Sequence, residues 1–440
     1  MAKHLVYLAI GFPPASKSST YRLRAHANAF AESGFDVTVI NACDAAWEQE
    51  MGIDNSLLNS VDPSIRIVKL PLFRPEFETD IRRISEMQIY QYTEWLKELR
   101  KYQYGIFPEH VFGSWLPVLM EQMQILHSTS PIDLIVASLA PNVLLGVLQD
   151  FAIPNNIAYA VDYRDAWKFN SITGKSNFDH SSREFEIEST VLKSAKLVSF
   201  VNPAIRDTYA SIYSANCDNF IVSRNGYDSS ELSVNDLEDG ANSEQLILGY
   251  LGTMVFGVDH LEVLLTAWRT AICEGRIPNG SRFIIAGHLG SGSSRRENMK
   301  HRVIQDYKRY NVSYVGPVSR SEVGRLYQDW NAIVFPTVGD EFMTTGKIYE
   351  YMGTGLPIIS SHSPNLEATS LLTDYPNWLG NAELDSCRLT ELITNAWTRV
   401  FSDERFELRA KSQQFASQFE RSQLATSLVD TLKISLESEH

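Results

Sequence analysis

The segment with the clearest chemical character spans residues 344–359, which read TTGKIYEYMGTGLPII. Three residues that suit the start of a helix come first: Thr344, Thr345 and Gly346. The unpaired N–H groups and positive end of a helix attract anions, and Lys347 adds a full positive charge there. Glu350, one turn later, has a carboxylate that can accept hydrogen bonds from two hydroxyl groups, such as those of a ribose. A capped core helix with a surface Lys–Glu pair would give the same pattern, so both interpretations stay open.

A second set of polar residues follows a short apolar run at residues 157–161. The set consists of Asp162, Arg164 and Asp165. In open α/β sheets the carboxyl ends of the strands border the ligand crevice, so these side chains are candidates for contact with a substrate. A structural Arg–Asp pair that orders the loop is the alternative. Ser138, after an earlier apolar run, is a further candidate at the same edge.

Composition limits the class of protein. The chain has 440 residues, which is typical of two or three domains. Lys and Arg number 39 against 53 Asp and Glu, a net charge of −14, so bulk electrostatics do not favour nucleic acid. Four scattered cysteines predict free thiols in a reducing compartment, and no metal-type spacing is present. No run approaches the roughly 18 apolar residues of a membrane span, and residues 5–12 are expected to form a buried strand rather than a signal peptide.

The elements that must position these residues are short apolar runs alternating with helical patterns, which predicts parallel sheets built from β-α-β units. Strands are predicted in the first half at residues 5–10, 37–40, 65–70, 134–136, 157–161, 197–201 and 220–222. Strands are predicted in the second half at residues 246–251, 283–286, 313–315, 332–335 and 357–360. The predicted organisation is a first domain over residues 1–225, an acidic linker over 226–244, a second domain over 245–405, and a terminal helix over 406–440 that packs back on the first domain.

Several of these motifs, taken in order, resemble the retaining GT-B glycosyltransferases of family GT4, also called group 1. Residues 344–359 are similar to the family's donor-site signature, which reads roughly S/T-G-K-L-F-E-Y-L-A-x-G-x-P. Shorter segments resemble the family at residues 11–14 (GFPP), 162–167 (DYRDAW), 225–228 (NGYD) and 250–253 (YLGT). The resemblance covers nearly the whole chain. It implies the GT-B architecture, in which two doubly wound, Rossmann-like α/β domains face each other across a cleft.

The resemblance also implies roles for single residues. Lys347 would neutralise the donor diphosphate and Glu350 would hold the ribose; together with Asp162 they are the predicted catalytic residues. The predicted donor-binding residues are Gly252, Thr253, Gly316, Pro317, Thr344, Thr345, Gly346, Lys347 and Glu350. The predicted acceptor-side residues are Gly11, Ser138, Arg164 and Asp165. No metal and no cofactor is implied beyond a nucleotide-sugar co-substrate, which would be UDP-, GDP- or dTDP-linked.

The sequence departs from the family pattern at three places. The family's E-x7-E element would put its first glutamate at Phe342, and Glu341 lies one residue out of register. Residues 137–141 read ASLAP and lack the histidine that many members carry near the donor sugar. Residues 254–261 show no Arg/Lys pair of the kind often found after the first donor-domain strand.

The implied function is metal-independent transfer of a sugar, with retention of configuration, from a nucleotide diphosphate to a hydroxyl of a glycan, a lipid-linked acceptor or a small molecule. Two alternatives are a nucleotide-sugar epimerase of the same fold and a degenerate member that only binds a partner or a sugar nucleotide. The expected location is the cytoplasm; peripheral contact with the inner membrane face and the oligomeric state are left open. An NAD-dependent dehydrogenase is disfavoured because no GxGxxG opens the helix after either first strand.

Overall fold

A computed structural model describes residues 2–50, 52–213, 217–232, 244–290 and 294–437. These residues form two compact units. The first unit comprises the described residues within Met1–Asn170, Lys175–Arg224 and Arg421–His440. The second comprises those within Ser171–Gly174 and Asn225–Glu420.

The first unit is built around one parallel sheet. Its strands in the described residues are β1 (His4–Leu8), β2 (Asp36–Ala42), β3 (Arg66–Leu70), β4 (Leu134–Leu139), β5 (Ala158–Tyr163), β6 (Leu197–Phe200) and β7 (Phe220–Val222). Their order in the sheet is β3-β2-β1-β4-β5-β6-β7. All residues of β1 are buried, which explains the continuous apolar run at the start of the sequence.

Helices cover the sheet of the first unit. They are α1 (Thr20–Glu32), α2 (Asp44–Glu50), α3 (Glu86–Tyr90), α4 (Tyr92–Ile106), α5 (Leu116–Thr129), α6 (Leu144–Val147), α7 (Arg183–Ser194) and α8 (Pro203–Ile212). Leu23, Ala27 and Phe30 form one face of α1 and pack in the same core cluster as Leu5 and Tyr7 of β1. Spacings of three and four residues place these side chains on one helix face, and burial of that face holds α1 on the sheet.

The second unit repeats this arrangement. Its strands in the described residues are β8 (Ile247–Leu251), β9 (Arg282–Ala286), β10 (Val312–Gly316), β11 (Ala332–Pro336), β12 (Ile358–Ser361) and β13 (Trp378–Asn381). Their order is β10-β9-β8-β11-β12-β13, and the paired strands are parallel. The prediction of two doubly wound parallel sheets is therefore confirmed. The sequence did not predict β13, which lies at the sheet edge, is only partly buried and contains Gly380.

The helices of the second unit lie on both sides of its sheet. They are α9 (Val258–Cys273), α10 (Ser294–Asp306), α11 (Arg320–Asp329), α12 (Lys347–Thr354), α13 (Glu367–Thr373), α14 (Ser386–Val400) and α15 (Arg405–Ala416). One core cluster joins the sheet to α9 and α14, and the other joins it to α11 and α12. Helix α12 thus packs between the sheet and α15, and this packing gives the residues at its start a defined position.

The predicted terminal helix over residues 406–440 is two helices in the described part of the chain. Helix α15 belongs to the second unit, where Arg409 donates a hydrogen bond to the carbonyl of Thr354 at the end of α12. A 3-10 turn and the extended backbone of Glu420 (φ −57°, ψ 125°) interrupt the helix. Helix α16 (Arg421–Glu437) then joins the first unit and packs against α1. Sequence periodicity could not reveal this break, because no proline or glycine marks it.

The predicted linker over residues 226–244 is packed where the structure describes it, and residues 233–243 lie outside the described residues. Tyr227 and Leu232 are almost fully buried in the core cluster that contains α12. The backbone N–H of Tyr227 donates to the carbonyl of Phe419 at 3.1 Å. Tyr227 and Leu232 thus anchor residues 226–232 on the second unit.

Two chemical expectations concern cysteines and membranes. Cys43, Cys273 and Cys387 are free thiols. Within the described ranges, no helix has the length and apolar character needed to cross a bilayer.

Candidate functional site

Glycines end three neighbouring strands of the second unit. Gly252 and Gly287 directly follow β8 and β9, and Gly316 ends β10. The N–H of Gly252 donates to the carbonyl of Ala286 at 3.2 Å, and that of Gly287 donates to the carbonyl of Gly316 at 2.8 Å. A Cβ atom on Gly287 would lie 2.2 Å from the carbonyl oxygen of Gly252, so the two backbones can approach only because residue 287 is glycine. The end of β8 borders the point between β8 and β11 where the strand order reverses, and α/β sheets bind their ligands at such a point.

The start of α12 lies next to this row of glycines. A Cβ atom on Gly252 would lie 3.9 Å from Cγ of Lys347, so the lysine stem passes over the end of β8. The hydroxyl of Thr345 accepts a hydrogen bond from the N–H of Lys347 at 3.3 Å and orders the entry into the helix. No atom lies within 4 Å of a Cβ built on Gly346, which leaves open space over the loop. The structure therefore brings Gly252, the loop before α12 and Lys347 together.

Glu350 is almost fully enclosed, with 7% of its surface exposed. Its carboxylate accepts hydrogen bonds from Nζ of Lys347 at 2.7 Å, Nη1 of Arg320 at 3.1 Å and the hydroxyl of Tyr327 at 3.1 Å. The Lys347–Glu350 contact is the i,i+3 pair that the structural interpretation of this segment requires. Lys347 and Arg320 thus place two cations beside one carboxylate at the positively polarised start of α12, an arrangement that could attract an anion and accept hydrogen bonds from hydroxyl groups.

Arg320 is a residue of this site that the sequence did not predict. It begins α11, directly after β10, and its Nε also donates to Oε2 of Glu231 at 2.7 Å. A capping box between Ser319 and Glu322 fixes the start of the helix and hence the direction of the guanidinium. A cation just beyond the carboxyl end of a strand is the one sequence signal that could have indicated Arg320. Its partner Glu350 is thirty positions away.

The remaining predicted donor-side residues lie along the same edge of the sheet. Thr253 and Pro317 are exposed, and Gly316 is half-buried with open space where a Cβ would be. Phe342, at the position of the missing glutamate, is buried, whereas Glu341 is exposed. Whether Glu341 takes the place of that glutamate stays open.

Lys300 stabilises the loops that follow β8 and β9. Its ammonium group is buried and donates to the carbonyls of Met254 at 2.6 Å and Leu289 at 2.8 Å. These carbonyls belong to the loops that follow β8 and β9, so one cation ties together the backbone behind Gly252 and Gly287. Lys300 lies on α10, which sequence spacing could not connect with either loop.

Asp162 and Ser138 were expected at a crevice in the first unit, and the structure encloses both instead. Asp162 is 1% exposed, and its carboxylate accepts from Nη2 of Arg22 at 2.6 Å, the hydroxyl of Ser138 at 2.8 Å and the hydroxyl of Ser199 at 2.7 Å. Burial alone would raise the pKa of this carboxyl, but Arg22 and these hydrogen bonds hold it well below its usual range. Both residues lie enclosed in the central strands β4 and β5, an arrangement that favours the structural interpretation, while their predicted roles in catalysis and acceptor binding stay predictions.

The other predicted acceptor-side residues lie at the carboxyl edge of the first sheet. The guanidinium of Arg164 donates to the carbonyls of Leu139 and Ala140, which orders the loop after β4. Gly11 is buried with φ +93°, and its N–H donates to the side chain of Asn41 at 3.1 Å. Asp165 is exposed. An Arg–Asp pair forms at Asp162, but its arginine is Arg22 on α1, which the sequence did not indicate.

Glu109 is a second carboxyl group at this edge. It accepts hydrogen bonds from the N–H groups of Asn142 at 3.1 Å and Val143 at 2.7 Å, directly before α6. Burial raises its pKa to about 7, although these two hydrogen bonds act in the opposite direction. Within the described ranges, no group of three or more His, Cys, Asp or Glu side chains could hold a metal ion.

Comparison with known proteins agrees with this geometry. Residues 245–377, which contain the glycine row and α12, match the family model described as glycosyl transferases group 1. Anabaena Alr3699/HepE in complex with UDP superimposes with a TM-score of 0.64 at 13% identity, covering 98% of this chain and 100% of the other. The same Anabaena protein with UDP-glucose gives 0.60 at 14% identity, covering 98% and 99%. The chain has the GT-B fold.

A sucrose-phosphate synthase from Thermosynechococcus elongatus also superimposes over the whole chain. The TM-score is 0.63 at 14% identity, and each chain is covered completely. No curated protein sequence matches. At identities this low, the GT-B neighbours establish the fold, while the group 1 match is specific to residues 245–377.

Proposed function

We propose that this protein is a retaining glycosyltransferase of family GT4 that transfers a sugar from a nucleotide diphosphate to an acceptor hydroxyl without a metal. The observation that carries the proposal is the approach of Lys347, which is paired with Glu350, to Gly252 at the end of β8, beside the glycine-ended strands β9 and β10. The open space over Gly316 and Gly346 would admit part of a diphosphate, and the helix end and the lysine supply positive charge. The group 1 match over the same residues supports this interpretation.

The chemistry follows from how charge develops in the reaction. As the glycosidic bond of the donor breaks, negative charge grows on the departing diphosphate. Lys347 and the N–H groups at the start of α12 would stabilise that charge, and Arg320 lies on the other side of Glu350. Glu350 would accept hydrogen bonds from the ribose, exchanging contacts that it now makes with Lys347 and Arg320. In the proposed front-face attack, the departing phosphate takes the acceptor's proton.

The acceptor and the location are proposed more broadly. The acceptor is a hydroxyl of a glycan, a lipid-linked intermediate or a small molecule. Large apolar side chains exposed on the first unit, including Phe73, Ile81 and Tyr90, are compatible with a lipid-linked acceptor. We propose a cytoplasmic protein; peripheral contact with the membrane is tested by flotation with vesicles.

A thermal-shift screen against UDP-, GDP-, ADP- and dTDP-sugars tests the donor site. A ligand of the folded state raises the melting temperature, and we expect one nucleotide class to do so. Lys347→Ala and Glu350→Ala should each lose most of that shift. Lys411→Ala and Glu407→Ala are matched controls, because this pair lies exposed on α15 of the same unit and should keep the full shift. Equal shifts in the site variants and the controls would refute the assignment.

Product analysis separates the proposed transfer from its alternatives. A transferase releases nucleoside diphosphate only when an acceptor is present, and the glycosidic bond keeps its configuration. An epimerase would change the donor without an acceptor, and a degenerate protein would bind the donor without turnover across an acceptor panel.

A further inference from the structure

A small pocket lies beside the loop that precedes α12, at the carboxyl edge of the second sheet. Its walls come from the end of β11, this loop, α12 and α13, and include Thr344, Thr345, Ile348, Glu367 and Leu371. Most of the lining is apolar, and the polar groups are threonine hydroxyls and one carboxyl group. The pocket has a volume of about 10 Å³, which is room for one water-sized group, so it suits a single hydroxyl of a sugar whose ring lies outside it.

The carboxyl group belongs to Glu367. Its side chain is 9% exposed, and Oε2 accepts a hydrogen bond from the hydroxyl of Thr344 at 3.3 Å. Thr344 belongs to the loop that carries Thr345 and Gly346 into α12. Glu367 is therefore linked directly to the proposed diphosphate loop, although it comes from the next helix of the chain.

The pocket and Glu350 lie on different sides of α12. Ile348 lines the pocket, and residues two positions apart on a helix point about 200° from each other. Glu350 therefore faces Arg320 and Tyr327, away from the pocket. A nucleotide sugar whose diphosphate crosses the start of α12 would put its ribose on the Glu350 side and its sugar on the Glu367 side.

We infer that Glu367 accepts hydrogen bonds from hydroxyl groups of the transferred sugar and thereby helps to select the donor. The inference rests on the proposed function, because it takes the start of α12 to hold the diphosphate. Phe342 is buried and apolar, and Glu341 is exposed, so neither offers an enclosed carboxyl beside this loop. The ligand class is a sugar nucleotide with a free hydroxyl at the position that Glu367 contacts.

Calorimetric binding of UDP and of UDP-glucose tests this inference, with GDP and GDP-mannose and dTDP and dTDP-glucose as parallel pairs. The measured quantity is the ratio of the two dissociation constants, sugar nucleotide to free nucleotide. Glu367→Gln should raise this ratio about ten-fold and leave the affinity for the free nucleotide within about two-fold, since only the sugar loses a contact. Glu407→Gln, a change at an exposed carboxyl on α15 of the same unit, should leave the ratio unchanged.

A deoxy series of the donor sharpens the test. We expect one analogue, which lacks a single sugar hydroxyl, to bind the native protein as weakly as the complete donor binds Glu367→Gln. The affinity for this analogue should be the same in Glu367→Gln as in the native protein. Glu367→Asp, which withdraws the carboxyl by one methylene, should also raise the ratio and serves where Glu367→Gln does not fold.

Two failures are distinguishable. An unchanged ratio in both folded Glu367 variants, or an equal loss for nucleotide and sugar nucleotide, would make Glu367 a structural link to Thr344 and overturn the inference alone. Native protein that binds none of the pairs, or Lys347→Ala that binds them like the native chain, would overturn the proposed function itself.

Discussion

At the scale of single residues, similar carboxyl groups serve different purposes because their surroundings differ. Asp162 is closed off, and Arg22, Ser138 and Ser199 saturate its oxygens. The carboxylate of Glu350 also accepts hydrogen bonds from three side chains. Two of these, Lys347 and Arg320, are long cationic side chains at the sheet edge, which can turn toward another anion. Loss of a partner from the enclosed pair would leave a buried charge uncompensated, whereas a carboxylate held by cations near an opening can exchange partners with a ligand.

The structural role of Asp162 gives a direct prediction. Asp162→Asn leaves the Arg22 guanidinium buried without its counter-charge, so the free energy of unfolding should fall by about 3–5 kcal/mol. Urea denaturation measures this loss. Asp165→Asn, an exposed carboxylate three positions later, should change stability by less than about 0.5 kcal/mol. A stable Asp162→Asn protein that binds donor but has no turnover would instead restore the catalytic role that the sequence indicated.

At the scale of elements, the donor side depends on contacts between segments that are distant in sequence. Arg320 at the start of α11 contacts Glu350 on α12 and Glu231 in the segment before β8. Three pieces of chain therefore meet at one guanidinium, whose side chain is 17% exposed. A shift of any piece would move Glu350, so the position of its carboxylate depends on this junction.

Arg320→Met should loosen this junction. The variant keeps the length of the stem but leaves two carboxylates with fewer donors, so the free energy of unfolding should fall by about 2 kcal/mol. Arg388→Met, which removes an exposed pair with Glu391 on α14, should cost no more than about 0.5 kcal/mol. Chemical denaturation compares the two. Equal losses would show that Arg320 contributes no more than a surface ion pair.

Sequence patterns predicted most elements because buried parallel strands are continuous apolar runs with glycine, proline or a small residue after them. The start of α12 was also predicted, because threonine, glycine and lysine at a helix start act locally: they cap the helix and attract anions. Arg320 and Glu367 were not predicted. Their partners are thirty and twenty-three residues away, and only the packing of α11, α12 and α13 brings them together. Local chemistry is visible in a sequence, whereas contacts across elements require the fold.

At the scale of the whole molecule, the first unit contains carboxyl groups that titrate near neutrality. Glu188 is fully buried and accepts hydrogen bonds from the hydroxyls of Tyr163 at 2.7 Å and Tyr209 at 3.0 Å, and from Tyr213. Burial raises its pKa from 4.5 to about 7, although the tyrosines lower it in part. Glu109, with its pKa also raised to about 7, acts in the same direction.

These shifts fix the sign of one contribution to the pH dependence of stability. Between pH 4.5 and 7 Glu188 and Glu109 keep protons in the folded protein that the unfolded chain releases, so these two groups lower the free energy of unfolding as the pH rises through this range. The shift of Glu188 alone corresponds to about 3 kcal/mol. Burial lowers the pKa of His26 to about 3 and that of His260 to about 4, so these two residues act in the opposite direction as the pH rises toward 6.5. Asp162 also has the opposite sign, but its pKa is lowered from 3.8, so its contribution changes only at more acidic pH.

Glu188→Gln should therefore remove one of these contributions, while Glu109 and the histidines still titrate. Between pH 5 and pH 8 we expect the stability of the native protein to fall relative to that of Glu188→Gln, and the stability of Glu188→Gln to fall relative to that of a double variant with Glu109→Gln. Urea titrations at the two pH values measure these differences. Glu407→Gln, a change at an exposed carboxyl on α15, should keep the native slope. If stability changed equally with pH in the native protein, in Glu188→Gln and in the double variant, Glu188 would be ionised at neutral pH. Its three tyrosine hydrogen bonds would then outweigh the cost of burial.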